Sequence, residues 1–214
     1  MDLKILKNYS VLNPFYVSRE TCLDFETLIE NILTKNKEIN LISNKSAKNN
    51  DIRERHIIDS AQIIEFIDLN DNTTCDLGSG NGFPALVIAI IAKNLKKNIK
   101  IIMHEKSPNK CRFLKDVSND LGLQTKIIQE DIFKLKNIKT GTVMSRAFKP
   151  LPIILELIYQ NFSSYKNIIL FMGENGNELL NQALLKWDIE FVKKKSLTNR
   201  NSFLLNIKKL RKLN

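Results

Sequence analysis

A glycine-rich turn follows a short apolar run near the middle of the chain. The segment CDLGSGNGFP, residues 75–84, places Gly78, Gly80 and Gly82 at alternate positions, with an acidic residue, Asp76, just before them. Glycine adopts positive φ angles readily and leaves room for a ligand close to the backbone. A turn of this kind between a strand and a helix is typical of cofactor sites at the carboxyl ends of a parallel sheet.

The spacing of the glycines separates two classes of cofactor. A dinucleotide fingerprint has the spacing GxGxxG and holds a pyrophosphate at the helix N-terminus. Here the spacing is GxGxG, and Phe83 occupies the place of the third dinucleotide glycine. The Asp76 carboxylate would repel a pyrophosphate, but it can accept hydrogen bonds from the ammonium group of a methionine moiety, directly or through water. The turn therefore favours S-adenosylmethionine.

Acidic residues follow the next two strand-like runs. Glu105 ends KIIMHE, where a carboxylate can accept hydrogen bonds from both ribose hydroxyls of an adenosine; the other interpretation is a surface glutamate that pairs with Lys106. Glu130 and Asp131 follow TKIIQ, where an adenine edge is expected, and Asp131 can accept from the exocyclic amine. Asp131 can also cap a helix N-terminus, and the two roles are compatible.

The apolar pattern predicts the elements that position these residues. Helical spacing is present over residues 18–37 and 51–67. After residue 71, the strand-like runs TTCDL, KIIMHE, TKIIQ, GTVMS and NIILFM alternate with helix-like segments, which predicts a parallel sheet with helices on both faces. The last two runs, FVKKK and SFLLNIKKL, have no helix between them and predict an antiparallel hairpin. The expected inward-facing residues of the first two helices are Phe25, Leu28, Ile29, Ile32, Leu33, Ile57, Ala61 and Ile64.

These elements predict an α/β chain with a Rossmann-like fold, and the turn that favours S-adenosylmethionine makes a class I methyltransferase the expected form of it. We expect a mostly parallel sheet with a C-terminal antiparallel hairpin, formed by residues 71–214. Residues 1–70 are expected to form an N-terminal helical extension that packs with this domain as one unit.

Composition narrows the class of partner and the compartment. The chain has 33 Lys and Arg residues and 23 acidic residues, which gives a net charge of +10. This charge suits a polyanionic partner such as nucleic acid. The other interpretation is that the charge serves only solubility. Cys22, Cys75 and Cys111 are far apart and odd in number, which argues for a reduced cytosolic protein without a disulfide framework or a metal site. The sequence shows no signal peptide or membrane span. We expect a soluble, cytoplasmic protein.

Four segments carry a family resemblance: RHIIDS (55–60), DLGSGNGFP (76–84), EKSPNKCRFL (105–114) and SRAF (145–148). Over roughly residues 30–208 the chain resembles the bacterial RsmG family, also called glucose-inhibited division protein B. The resemblance implies S-adenosylmethionine-dependent methylation of N7 of one guanine, position 527, in 16S rRNA, with the rRNA or the small ribosomal subunit as partner. The glycine turn is common to many methyltransferases, whereas RHxxDS upstream with SRAF downstream is much more specific.

The resemblance also implies site residues. Cofactor contacts are implied at Gly78, Phe83, the Glu130–Asp131 pair and Arg146 of SRAF. Asn36 and Asn40 match an asparagine pair of the family. The chain departs from the family pattern at Lys35, where Trp is frequent, and at Met172, where a Lys-Gly is usual; Lys149 can supply a cation nearby.

RNA contacts are assigned to four polar residues near these motifs. They are Asn40, Arg53, Arg55 and Lys149. The basic runs KNLKKNIK, VKKK and KKLRK are more typical of solvated faces, but together with Arg53 and Arg55 they favour a phosphate-binding surface.

The implied chemistry needs no general base. Guanine N7 carries a free lone pair, so catalysis consists of aligning N7, methyl and sulfur and excluding water. A bidentate contact of Arg146 with O6 and N7 would block the nucleophile, so we assign Arg146 to the cofactor, to O6 alone or to a phosphate; a structural role at the strand end is the alternative. His56 and Asp59 are three apart on a helix and can face the pocket together. The alternative is that His56 packs and Asp59 caps the helix or pairs with Arg55.

Other functions fit parts of the sequence. One is a Rossmann methyltransferase with a protein or small-molecule substrate, which the positive net charge disfavours. Another is a non-catalytic rRNA-binding assembly factor that retains the fold, for which Met172 is the one indication. We expect a monomer. Phe148 either stacks on the target base or belongs to the core.

Overall fold

The computed structural model describes residues 7–15, 17–43, 52–71 and 73–213. Its strands are β1 (Thr73–Leu77), β2 (Lys100–His104), β3 (Thr125–Ile128), β4 (Ile138–Lys139), β5 (Thr142–Ser145), β6 (Phe162–Ser164), β7 (Asn167–Met172), β8 (Trp187–Lys195) and β9 (Phe203–Lys212). Seven of them form one sheet in the order β3-β2-β1-β5-β7-β9-β8. Strands β3, β2, β1, β5 and β7 are parallel, whereas β9 runs antiparallel to both β7 and β8. The predicted parallel sheet with a C-terminal hairpin is confirmed.

Among the described residues, six helical segments surround the sheet. They are α1 (Arg19–Lys35), α2, α3 (Ala85–Asn94), α4 (Pro108–Asp120), α5 (Leu151–Asn161) and α6 (Gly176–Leu184), with short 3-10 turns at Ser10–Phe15 and Ile132–Lys134. We call α2 the continuous segment that winds as a π-helix over Ile52–Ile58, as an α-helix over Asp59–Ala61 and as a 3-10 helix over Gln62–Phe66. The apolar periodicity predicted this helix but not its changes of winding. Its predicted start, Asp51, lies outside the described residues.

The period-two alternation of the strands divides the core into two apolar clusters. On β5, Val143 faces the cluster formed with α5 and α6, while Met144 faces the cluster formed with α1 to α4. On β7, Ile168 and Ile169 separate in the same way. Both faces of the sheet are therefore covered by helices, as parallel sheets require.

The N-terminal helices bury their apolar stripes against one of these faces. Ser18 caps α1 by accepting a hydrogen bond from the Thr21 N–H at 3.2 Å, and Phe25 on this helix belongs to the same cluster as Met103 of β2. Leu33 is 36% exposed, so its expected core position was wrong: the last turn of α1 leaves that side of the helix to solvent. The other predicted inward residues of α1 and α2 are buried. The division at residue 70 stays a prediction.

One small sheet was not predicted. Strands β4 and β6 pair in parallel, beside the buried Asn161, whose amide donates to the carbonyl of Phe133 at 3.1 Å. Strands of two and three residues carry too little alternation for a sequence pattern to show. In the part of the chain that the structure describes, no helix is both long and apolar enough to cross a lipid bilayer.

Candidate active site

A cavity of about 690 Å³ opens at the carboxyl ends of β1, β2 and β5. The strand order reverses between β1 and β5, and ligands of open α/β sheets bind at such a reversal. We call it the cofactor cavity. The predicted site residues on its wall are Gly78, Gly80, Phe83, Glu105, Glu130, Asp131, Arg146 and Lys149. Within residues 7–15, 17–43, 52–71 and 73–213, no group of three or more His, Cys, Asp and Glu side chains could hold a metal ion.

All three glycines of the turn have positive φ, but a side chain would meet different surroundings at each position. A Cβ on Gly78 would lie 2.1 Å from the Phe148 ring, and one on Gly82 would lie 2.3 Å from Leu86. A Cβ on Gly80 would meet only the Gly78 carbonyl, at 3.7 Å. Packing therefore requires glycine at the first and third positions, and Gly80 has the open space that a ligand needs. Gly82, predicted as a cofactor contact, serves the packing of the turn on α3.

Glu105 joins the glycine turn to the start of α4. One carboxylate oxygen accepts from the Gly80 N–H at 2.9 Å, and the other accepts from the Ser107 N–H at 2.7 Å. Each oxygen keeps a second lone pair. The carboxylate is thus fixed on the wall of the cofactor cavity and can still accept hydrogen bonds from a ligand.

Asp76 lies below the turn and not on the wall of the cavity. It is 1% exposed, and its Oδ2 has no hydrogen-bond partner among the described residues. Burial raises the pKa of this carboxyl to about 7; the Ser79 hydroxyl lowers it and the Glu105 charge raises it further. An unpaired buried carboxylate is costly, so its environment fits a ligand that brings a cation or a donor to this end of the turn.

His104, just before Glu105, is a wall residue that the sequence did not indicate. It is 3% exposed, and both ring nitrogens lack a hydrogen-bond partner within the described chain. Burial, with a smaller effect of Lys126, lowers the pKa of His104 to about 4, so the ring is neutral at physiological pH.

The acidic pair after β3, Glu130 and Asp131, also lines the cofactor cavity. Asp131 caps the 3-10 turn Ile132–Lys134, because its Oδ1 accepts from the Phe133 N–H at 3.2 Å. The predicted cap is confirmed. Contacts of Glu130 and Asp131 with an adenine stay a prediction.

Arg146 connects the end of β5 to α2. Its guanidinium donates to the carbonyl of Arg55, lies 3.2 Å from Nδ1 of His56 and forms an ion pair with Oδ2 of Asp59 at 3.2 Å. Burial lowers the pKa of Arg146, and the Asp59 charge opposes this shift. The carbonyl bond is the contact expected of a structural arginine, although Arg146 also lines the cofactor cavity.

His56 and Asp59 both contact Arg146 but differ in their other contacts. The His56 ring stacks on Phe83 with centroids 5.0 Å apart. The buried Asp59 accepts from Gln62 Nε2 at 2.7 Å and from the hydroxyl of Ser196 at 2.9 Å. Neither residue lines the cofactor cavity, so they support its edge through Phe83 and Arg146.

The four predicted RNA contacts lie in different environments. Arg53 pairs with Glu26 of α1, with Nε 2.8 Å from Oε1. Asn40 is exposed, Lys149 lines the cofactor cavity, and Arg55 lines a second cavity beside it.

The family's asparagine Asn36 shapes the turn that contains Asn40. Its Oδ1 accepts from the N–H groups of Leu41 at 2.8 Å and Ile42 at 2.9 Å. Leu41 in turn lines the cofactor cavity. Asn36 thus acts on the cavity through the position of Leu41.

Two solved structures that share this fold are SAM-dependent methyltransferases. A SAM-dependent methyltransferase from Aquifex aeolicus superposes with a TM-score of 0.55 at 11% identity, covering 76% of this chain and 95% of that chain. A SAM-dependent O-methyltransferase from Thermotoga maritima gives a TM-score of 0.55 at 14% identity, covering 87% of this chain and 73% of that chain. At these identities the likeness shows the fold alone.

Sequence relatives are much closer. The Ribosomal RNA small subunit methyltransferase G of Pelagibacter ubique is 53% identical over 211 residues, 99% of either chain. Its namesake in Bartonella henselae is 34% identical, covering 99% of this chain and 98% of the relative. The family model described as rRNA small subunit methyltransferase G matches residues 21–207. This chain therefore belongs to the rRNA small subunit methyltransferase G family.

Proposed function

We propose that this chain methylates N7 of one guanine in 16S rRNA with S-adenosylmethionine as cofactor, in the cytoplasm and as a monomer. The observation that carries the proposal is the cofactor cavity at the strand-order reversal, where Glu105 is fixed beside the open space at Gly80. Membership of the family supports the rRNA substrate, and a net charge of +10 suits a polyanion.

The residues of the cavity fit S-adenosylmethionine. Glu105 would accept from the ribose hydroxyls, Glu130 and Asp131 would face the adenine, and Asp76 would offset the ammonium group. When bound, the cofactor supplies a methyl group on a positively charged sulfur, which a lone pair can attack directly. The chain's own contribution is to orient the two reactants and exclude water.

The charge balance at the cavity edge suits N7 as the acceptor. N7 needs no deprotonation, and methylation moves one positive charge onto the base. The positive charge of the Arg146 guanidinium at the cavity edge would repel the methylated base. Asp59 lies 3.2 Å from Arg146 and neutralises this charge. We infer that Asp59 and His56 act by positioning Arg146 and neutralising its charge.

Methyl incorporation tests the proposal. Purified protein and radiolabelled cofactor are incubated with small ribosomal subunits, free 16S rRNA and free 23S rRNA from cells that lack the homologous activity. We expect stoichiometric transfer to 16S rRNA and none to 23S rRNA. Binding of S-adenosylhomocysteine without transfer to any RNA would favour the non-catalytic assembly factor, and transfer to a protein would favour the other methyltransferase class.

Glu105→Ala is expected to raise the cofactor dissociation constant about 30-fold, as charge-assisted hydrogen bonds are worth about 2 kcal/mol. The variant also loses the bonds to Gly80 and Ser107 that hold the turn. Isothermal calorimetry with S-adenosylhomocysteine measures the change. The control is Glu190→Ala, an exposed carboxylate on the edge strand β8, which should leave the constant unchanged. A loss confined to RNA affinity would contradict the assignment.

We expect cofactor affinity to depend on pH and the rate of methyl transfer to be independent of it. The ionised form of Asp76 favours binding of the cofactor's ammonium group. Because the pKa of Asp76 is about 7, its ionised fraction falls about tenfold from pH 8 to pH 6, and cofactor affinity should fall by the same factor. The single-turnover rate with saturating cofactor and RNA should stay nearly flat from about pH 6 to 9, because no proton is removed.

Two variants check this division. Asp76→Asn should abolish the pH dependence of cofactor affinity, and His56→Ala should leave the shape of the rate profile unchanged. A wild-type rate that rises tenfold per pH unit, and a loss of that slope in His56→Ala, would show that a base acts. The target atom would then be an exocyclic amine or a hydroxyl instead of N7.

A further inference from the structure

A second cavity of about 640 Å³ lies beside the cofactor cavity. It is bounded by α2, by the end of β7 and by the loop that joins β8 to β9, residues 196–202. Its wall shares Arg146 and Ala147 with the cofactor cavity. We call it the acceptor cavity. Its volume lies within the range of small-molecule sites.

The loop of the hairpin is fixed to α2 by partly buried hydrogen bonds. Asp59 accepts from the hydroxyls of Ser196 at 2.9 Å and Thr198 at 3.1 Å. Gln62, which is fully buried, accepts from the Leu197 N–H at 3.0 Å. The acceptor cavity therefore has a built wall and not merely a gap between an exposed loop and a helix.

The two cavities meet at a residue with an unusual backbone. Ala147 has φ of +50°, a conformation that costs a non-glycine residue roughly 1 kcal/mol. Its neighbours Arg146 and Phe148 also line the cofactor cavity. The boundary thus consists of Arg146 and the small side chain of Ala147, and beside Ala147 an atom held in the acceptor cavity can approach a group held in the cofactor cavity.

The lining of the acceptor cavity suits a nucleotide. Arg55 and Arg200 add cations, Thr198 and Asn199 add groups that can bond a base edge, and Phe171 adds an aromatic surface. Arg146 lies 5.5 Å from the centroid of the Phe171 ring. Exposed bases are commonly held by such a combination of aromatic stacking, polar edge contacts and a phosphate-binding arginine.

A third cavity, of about 400 Å³, also contains Ala147 but suits a nucleotide less well. Its wall contains the aliphatic side chains of Leu151, Ile154 and Leu179 and the cation of Lys149, but no arginine. It therefore lacks the planar, bidentate phosphate contact that an arginine supplies. This comparison favours the acceptor cavity as the place of the RNA.

We propose that the acceptor cavity holds the target guanosine of the RNA, with N7 directed toward Ala147 and a flanking phosphate on Arg200. The inference rests on the proposed function and adds the site of the methyl acceptor. It assigns the β8–β9 loop to RNA recognition, with Asp59 and Gln62 as positioning residues.

The test compares Arg200 with Arg19, an arginine outside both cavities. Arg19 is the first residue of α1 and is exposed, and it lines neither the cofactor cavity nor the acceptor cavity. Arg200→Gln should lower kcat/KM for 16S rRNA at least about tenfold and reduce the salt slope of RNA binding by about 1. Arg19→Gln should change kcat/KM less than about twofold. Both variants should bind S-adenosylhomocysteine like the wild type.

A second variant fills the acceptor cavity. The Ser202 side chain lines it, and the hydrogen bonds of this residue with Asn199 and Ser196 use backbone atoms only. Ser202→Phe should abolish methylation while cofactor affinity and overall RNA affinity, measured by filter binding, are retained.

The outcomes separate the two proposals. A wild-type protein that transfers no methyl group to 16S rRNA would overturn the proposed function. An active wild type with equal effects of Arg200→Gln and Arg19→Gln, or with an active Ser202→Phe, would overturn only the assignment of the acceptor cavity.

Discussion

Gly78→Val is expected to abolish cofactor binding, raising the dissociation constant for S-adenosylhomocysteine more than about 100-fold, a loss of at least ~2.7 kcal/mol. A Cβ at this position would lie 2.1 Å from the Phe148 ring, so this ring, which lines the cofactor cavity, must move. The φ of +68° is also unfavourable for a β-branched side chain. Calorimetry measures the affinity, and circular dichroism checks that the fold is retained.

Gly122→Val is the matched control for this experiment. Gly122 has φ of +59° at the end of α4, and a Cβ there meets no atom within 4 Å. The two variants therefore share the backbone strain, and only Gly78→Val displaces a wall residue. Equal cofactor affinities of the two variants would show that this turn does not form the cofactor site.

Asp59→Ala is expected to lower the free energy of unfolding by about 3–5 kcal/mol, because it leaves the largely buried Arg146 without its counter-ion. The variant also removes the acceptor for Ser196 and Thr198, so the β8–β9 loop should detach from α2. Urea unfolding measures the stability. Methylation should fall strongly, since the acceptor cavity loses a wall.

Asp68→Ala provides the comparison for a surface pair. Asp68 pairs with Lys166 at 3.1 Å, and both side chains are about half exposed, so its removal should cost less than about 1 kcal/mol. If Asp59→Ala were no more destabilising than Asp68→Ala, Asp59 would not hold Arg146 and the hairpin loop together.

The parallel sheet and the cofactor cavity could be predicted because their signals are local. Alternating strands and helices fix the order of connections, and the carboxyl ends of neighbouring strands then bring Gly80, Glu105 and Asp131 to one edge. The role of each glycine could not be predicted. Gly82 is required because it packs against Leu86, and a glycine pattern does not distinguish such packing from contact with a ligand.

The features that could not be predicted depend on contacts between distant parts of the chain. Asp59 bonds Ser196, 137 positions away, and only the folded sheet brings the two together. The basic run VKKK gave no hint that the loop after it forms a cavity wall. His104 was missed because a single buried histidine has no periodic signal.

Lys35 and Met172, the two residues that depart from the family pattern, lie in different environments. Lys35 pairs with Glu38 at 2.5 Å at the end of α1. Met172 is buried and lines the acceptor cavity that Arg200 also lines. Arg200 therefore supplies a cation on the same wall as Met172, the position at which the family usually has lysine.

Mapping the modified atom distinguishes methylation at guanine N7 from methylation at any other atom. Small-subunit rRNA methylated by the purified protein is reduced with borohydride and cleaved with aniline, which breaks the strand at 7-methylguanosine. We predict one new cleavage, at position 527 of 16S rRNA, that requires cofactor and is absent with Gly78→Val. Methyl incorporation without strand cleavage would contradict it, because the methyl group would then be on an atom other than N7.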